Sequence, residues 1–208
     1  MSNFDGTPAM LEFKGHLHVF FRVPGNDTIM HRRSTDLDQW RAVRVVQGAS
    51  DSAKTIDDPV ALVYQGLIHL FYKDEQGRTL LVKYDGEDAW TQPRVFIEQA
   101  YGFMPAVTIH NGLLKLVYSR NIAGEYGFPV YQYAYDGNSL SPPTLSSSLR
   151  ATQRVGLGVL DASLVVAYTE VAGVAVVGVV ENSPVPHTVE QSYENVVSGA
   201  DGVAEVWL

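Results

Sequence analysis

Apolar residues in this chain come in short runs that alternate only in part, as in Leu67-Ile68-His69-Leu70-Phe71, and a turn signal closes each run. Runs of this kind fit β-strands covered on both faces, and no segment has a convincing helical period. The clearest stretch predicts strands over Val60–Tyr64 and Leu67–Lys73, joined by a tight turn at Gln65-Gly66. A third strand follows over Thr79–Tyr84, then a turn at Asp85-Gly86 and an outer strand from Trp90 to Ile97. Upstream the pattern predicts Thr28–Ser34, a turn at Asp36–Asp38 and a strand over Trp40–Val46. Downstream it predicts a hairpin turn at Asn111-Gly112, a strand over Pro129–Tyr135, a turn at Asp136-Gly137 and a weak, proline-interrupted outer strand. Asn-Gly is a strong hairpin signal because a type I′ turn needs positive φ at both central residues.

The runs repeat. Pro8 to Arg22 aligns without gaps on Pro59 to Lys73 and on Pro105 to Ser119, and more loosely on Val155 to Thr169. One column reads Gly15, Gly66, Gly112, Ala162, and another reads Phe21, Tyr72, Tyr118, Tyr168. Short-stranded units recurring every 46 to 51 residues predict an all-β chain folded as a β-propeller. We expect one domain over residues 1–208 with four blades, in repeats 8–57, 58–103, 104–153 and 154–194, and a C-terminal hairpin over 195–208. The fourth repeat lacks the proline, the Asp-Gly turn and the tryptophan, and is nearly pure Val, Ala and Gly from Val155 to Val180. Its apolar face reads either as a blade buried at ring closure or as a meeting surface for another subunit. Val196 to Leu208, with a turn at Asp201-Gly202, resembles the first hairpin of a fifth repeat. It is either an extra flap on a four-bladed ring or an incomplete fifth blade. An exposed edge beside an apolar blade favours a homodimer through the fourth blade or the C-terminal hairpin.

The 208 residues suffice for a real core, and 18 glycines and 10 prolines suit a chain of turns. A net charge of −8 argues against nucleic acid as a partner and against docking on anionic lipid. With no cysteine, disulfides and thiolate metal sites are excluded. Met1 to Gly6 has no basic or apolar leader character, and the longest apolar run, Val171 to Val180, is too short to span a bilayer. We therefore expect no membrane insertion, and a chain that is cytoplasmic or released without a signal peptide.

A unit that reads Pro-Ala-hydrophobic, Gly-x-Leu, aromatic, Asp-Gly and Trp resembles two groups of propellers over residues 8 to 145. One is the bacterial and fungal propeller lectins for fucose and related sugars. The other is the sialidase and five-bladed glycoside hydrolase propellers. The sialidase Asp-box is met only in part, by Ser34-Thr35-Asp36-Leu37-Asp38-Gln39-Trp40 and, more weakly, by Lys83 to Trp90. The arginine triad, tyrosine–glutamate pair and acid aspartate of sialidases have no visible counterpart. In the five-bladed glycosidases an Asp-Pro step opening an inner strand carries a catalytic aspartate, and Asp58-Pro59 matches it.

The resemblance implies a carbohydrate or glycoconjugate partner, bound without catalysis at shallow sites between blades. Trp40 and Trp90 occupy equivalent places and offer flat faces for stacking on a sugar ring, or else for packing between blades. Asp36, Asp38, Asp85 and Asp88 supply acceptors, and Arg32, Arg33, Arg78 and Lys83 donors. The residues before each inner strand, Thr7, Asp58, Met104 and Arg154, should ring one mouth of the channel, with Asp58 facing Arg154 as a polar site or a salt bridge. Tyr126 on the loop Asn121–Phe128 and Tyr131 on the next strand make the groove between the second and third blades the first choice for a ligand. The alternatives are a glycoside hydrolase centred on Asp58, and a protein-interaction scaffold. Hydrolysis needs a second carboxylate, for which Glu170, Glu75 and Glu12 are the options. His16, His18 and His69 share a face in two blades without a carboxylate pattern, so no metal and no cofactor are expected.

Overall fold

The computed structural model describes residues 5–41, 44–46, 53–87, 89–98, 102–120, 127–169, 173 and 175–181. Among them lie four antiparallel meanders and no helix. The first holds β1 (Asp5–Phe13), β2 (His16–Arg22), β3 (Ile29–Ser34) and β4 (Arg44–Val45). The second holds β5 (Val60–Tyr64), β6 (Leu67–Lys73), β7 (Thr79–Tyr84) and β8 (Arg94–Ile97). The third holds β9 (Ala106–His110), β10 (Leu113–Ser119), β11 (Phe128–Tyr135) and β12 (Thr144–Ala151). The last holds β13 (Gly156–Leu160), β14 (Ser163–Thr169) and β15 (Ala175–Glu181). One sheet thus falls in each of the four aligned segments. The C-terminal hairpin over 195–208 lies outside the described residues.

The same turn opens every sheet. Lys14-Gly15, Gln65-Gly66, Asn111-Gly112 and Asp161-Ala162 all have positive φ at both central positions, between 46° and 73°. This is the type I′ geometry that matches strand twist. Ala162 pays a steric cost at +61° that glycine avoids in the other three.

The outer strands differ from expectation. The second begins at Arg94, not Trp90, because Pro93 has no N–H for the ladder. Pairing continues around it, since Thr91 Oγ1 accepts from Lys83 N at 2.9 Å and Thr91 N donates to Lys83 O at 2.9 Å. Ser141 repeats the device against Ala134 in the third sheet. Within the first outer strand the described residues show pairing over Arg44–Val45. The third is stronger than expected, eight residues over Thr144–Ala151, and it absorbs a bulge between Pro129 and Val130. Asp36, Asp85 and Asp136 make the preceding turns, each carboxylate accepting two main-chain N–H groups.

The core lies between sheets. Phe20 and Ile29 of the first meet Ile68, Leu70 and Tyr72 of the second. Phe71 and Phe96 of the second meet Leu114, Leu116 and Tyr118 of the third. Val117 and Val130 of the third meet Val166 and Val155 of the fourth segment. Inner strands β1, β5, β9 and β13 stand side by side in that order.

Two histidines sit inside these seams. His18 is fully buried, stacks on His31 at 5.1 Å and lies edge-on to Tyr84 of the next sheet. His69 is equally buried between Tyr64 and Tyr135. Burial, aided by the cations Arg33 near His18 and Lys83 and Arg94 near His69, lowers each pKa to about 4. Both rings are therefore neutral in the fold, and the unfolded chain takes up their protons first as pH falls. The associated stability is full above about pH 6.5 and is lost as pH falls toward 4, by about 3 kcal/mol per ring. Melting temperatures measured from pH 7 to 4.5 should fall steeply in the parent and less steeply in His69→Gln.

Candidate functional site

All four inner strands begin at the same mouth of the channel, and their leading residues converge there. Asp58 immediately precedes Pro59, which is buried at the head of the second sheet. The Asp58 carboxylate is half-buried and lies 4.0 Å from the Arg154 guanidinium at the head of β13. At that distance the pair is electrostatic and makes no direct hydrogen bond. A hydroxyl group placed between them could donate to the carboxylate and accept from the guanidinium.

The neighbouring carboxylate plays another part. Asp57 Oδ1 accepts from the Asp58 N–H at 2.8 Å, and Oδ2 accepts from the Met104 N–H at 3.0 Å. These bonds tie the heads of β5 and β9 together. Thr55, fully buried, clips the same turn: its hydroxyl donates to Asp57 O at 2.7 Å and accepts from Lys73 N at 3.2 Å. Lys73 closes β6 and is itself buried, its ammonium donating to the Gly102 carbonyl. Burial pulls its pKa down, opposed by the Asp57 charge and reinforced by Arg154. The segment before Arg154 is pinned by Ser119 Oγ donating to Gln153 O at 2.9 Å and by Thr152 N donating to Thr169 O at 2.8 Å.

The first sheet also reaches this point. Gly6, at φ +81°, lies so close to Asp58 that a Cβ there would stand 1.8 Å from Oδ1. Thr7 is exposed beside it, and Met104 is fully buried beneath the mouth. Asp58 and Arg154 are thus brought together by four separate sheets. Lys73 and Asp57 complete the charged cluster. Lys73 escaped the sequence reading, although a cation ending an otherwise apolar strand was a usable signal.

The remaining candidates lie elsewhere. Trp90 stacks on Tyr84 at 4.3 Å and meets Phe20 and His31 edge-on, which places it in the seam between the first two sheets. The Trp40 N–H donates to the Leu37 carbonyl at 3.0 Å, so it is spent within its own turn. Arg78 is held by Asp74, with Nε donating at 2.7 Å. Tyr131 is half-buried and stacks on Tyr118 at 5.8 Å. The expected groove between the second and third sheets is filled by Tyr64, Phe96 and Tyr135. Tyr126, Asp88 and Glu170 lie outside the described residues. Glu12 pairs with Leu17 next to the hairpin turn, at the far end of β1 from the mouth. Among the described residues no group of three or more metal-binding side chains occurs.

Solved structures share this fold. An α-L-arabinanase from Penicillium chrysogenum, complexed with arabinobiose, matches with TM-score 0.63 and 17% identity over 85% of this chain and 62% of its own. An endo-arabinase from Bacteroides thetaiotaomicron matches with TM-score 0.60 and 16% identity over 86% of this chain and 75% of its own. The GH43B enzyme of the Bacteroides ovatus xyloglucan locus matches with TM-score 0.55 and 13% identity, over 80% of this chain and 36% of its own. The fold is a β-propeller. Its neighbours are five-bladed propeller glycoside hydrolases, and the chain spans about a third to three quarters of their lengths. At these identities the likeness establishes the fold and no activity. No family model and no curated protein matches.

The close approach of Gly6 gives the cluster a test. Gly6→Ala should push Asp58 off Arg154 and cost about 1–2 kcal/mol through the positive φ alone. A crystal structure of the variant, with its denaturant midpoint, checks both effects.

Proposed function

We propose that this propeller takes a carbohydrate at the channel mouth and acts on it in the manner of a glycoside hydrolase, with Asp58 as the reacting carboxylate. The observation that carries the reading is the position of Asp58. It opens an inner strand at the mouth, directly before a proline, and stands against a guanidinium with both groups partly open to solvent. The propellers that resemble the chain are arabinanases, arabinofuranosidases and a galactanase. A site at the mouth is supported further by Trp40 and Trp90, which are engaged in turn and seam.

A second reading has its own support. Asp57, the carboxylate next to Asp58, has both oxygens engaged by main-chain N–H groups of its own chain and is not presented to a ligand. Glycoside hydrolysis needs two working carboxylates. Without a second one the same mouth would bind sugar and leave it intact, as a lectin does.

One experiment separates the readings. The purified chain is offered a panel of arabinan, xylan and galactan oligosaccharides, with binding and reducing-end release both measured. Release that falls at least about 100-fold in folded Asp58→Asn supports the hydrolase. Binding without release, weakened by both Asp58→Asn and Arg154→Gln, supports the lectin reading. Binding untouched by these variants and lost in Trp40→Ala would remove the mouth from either account.

A further inference from the structure

Equivalent positions in the four sheets face either the next sheet or the preceding one, so each sheet reports on the coverage of the others. Two positions face the next sheet. One reads Phe20, Phe71, Val117, Ala167, and the first three of these are fully buried while Ala167 is exposed. The other reads His18, His69, Lys115, Val165, and again only the last is open. Along β15 the same face carries Val177 and Val179, 58% and 50% exposed, with Ala175 exposed beside them. No charged side chain interrupts this face of β13–β15 between Gly156 and Val179.

The first sheet shows the complementary gap. Positions facing the preceding sheet are buried in the second and third, at Ile68, Leu70, Leu114 and Leu116. Their counterparts Leu17 and Val19 are half-exposed, and Met10, paired with Val19, is 64% exposed. Arg32, paired with Val19 on the other side, has a buried Nε without a hydrogen-bond partner among the described residues. The ring therefore has two open faces, one at each end of the series of sheets.

We propose that residues 196–208 of this same chain fill the gap as a two-stranded half-blade. The segment matches the first hairpin of the other repeats: Asp201-Gly202 falls on the turn column. The register then sends Ala204, Val206 and Leu208 toward the uncovered face of β13–β15. It sends Trp207 and Glu205 toward the first sheet, Trp207 to the apolar surface of Val19 and Met10, and Glu205 to the side that holds Arg32. Apolar groups thus meet apolar groups on both sides, and the Glu205 carboxylate falls on the side of the buried Arg32 Nε. The pairing is independent of the function proposed for the mouth.

The chain has no cysteine, so single thiols report burial directly. Val177→Cys and, as a reference, Leu37→Cys at a site 63% exposed, are labelled with a maleimide reagent in the full-length protein. The Val177→Cys thiol should react at least about tenfold more slowly. Protection should be lost on deleting 196–208, or in Glu205→Arg should deletion prevent folding, and should return when Glu205→Arg is combined with Arg32→Glu. Equal rates at the two sites would overturn the proposal. Protection that survives the deletion would also overturn it. So would protection that rises with protein concentration alongside a dimer in sedimentation, which would make a second copy the occupant.

Discussion

The constraint on which the structure depends is that every sheet is apolar on both faces and needs a neighbour on each. A lone four-stranded meander with Phe71 on one side and Leu70 on the other would expose both to water. Burying such side chains contributes about 1.5–3 kcal/mol each. The gain exists only when another sheet arrives, and so the sheets stabilise one another in series. The three seams differ in filling. The first two are aromatic, with buried histidines edge-on to tyrosines, and the third is built from valine, alanine and leucine.

This mutual covering also positions the mouth. Because inner strands stand side by side, the residue before each is carried to a common point. Asp58, Arg154, Met104 and Gly6 meet although about 150 residues separate the first from the last. The support is mostly main chain: Asp57 bonds to two N–H groups, Thr55 clips the turn, and Ser119 and Thr169 hold the approach to Arg154. Charges fixed this way need little reorganisation to meet a polar ligand. A half-buried carboxylate beside a guanidinium is chemically suited to hydroxyl-rich molecules, and this joins the fold to the proposed carbohydrate chemistry.

The tryptophans show how a repeated column can serve local structure. Trp40 and Trp90 share a column, and equivalence suggested a shared binding role. In the structure the column serves a turn: Trp40, Trp90 and Leu140 each bridge back to the end of the preceding strand. Leucine suffices in the third case. The turn at this position needs bulk and apolar surface, which leucine supplies as well as tryptophan.

What the sequence by itself determined is the repeat and everything local to it. The hairpins at Gly15, Gly66 and Gly112 follow from residues that tolerate positive φ. Strands such as Val60–Tyr64, Leu67–Lys73 and Thr79–Tyr84 follow from apolar runs between turn residues. The ring of leading residues was legible too, because equal spacing implies equal placement. Only the tertiary structure decided which polar groups are spent. Asp57, Asp36, Arg78 and the Trp40 N–H are all occupied within a few residues or across one seam, and nothing in their order along the chain distinguishes them from Asp58 and Arg154. Hydrogen-bond occupancy depends on distances of a few tenths of an ångström between sheets, and a linear pattern of residue types carries no information at that scale.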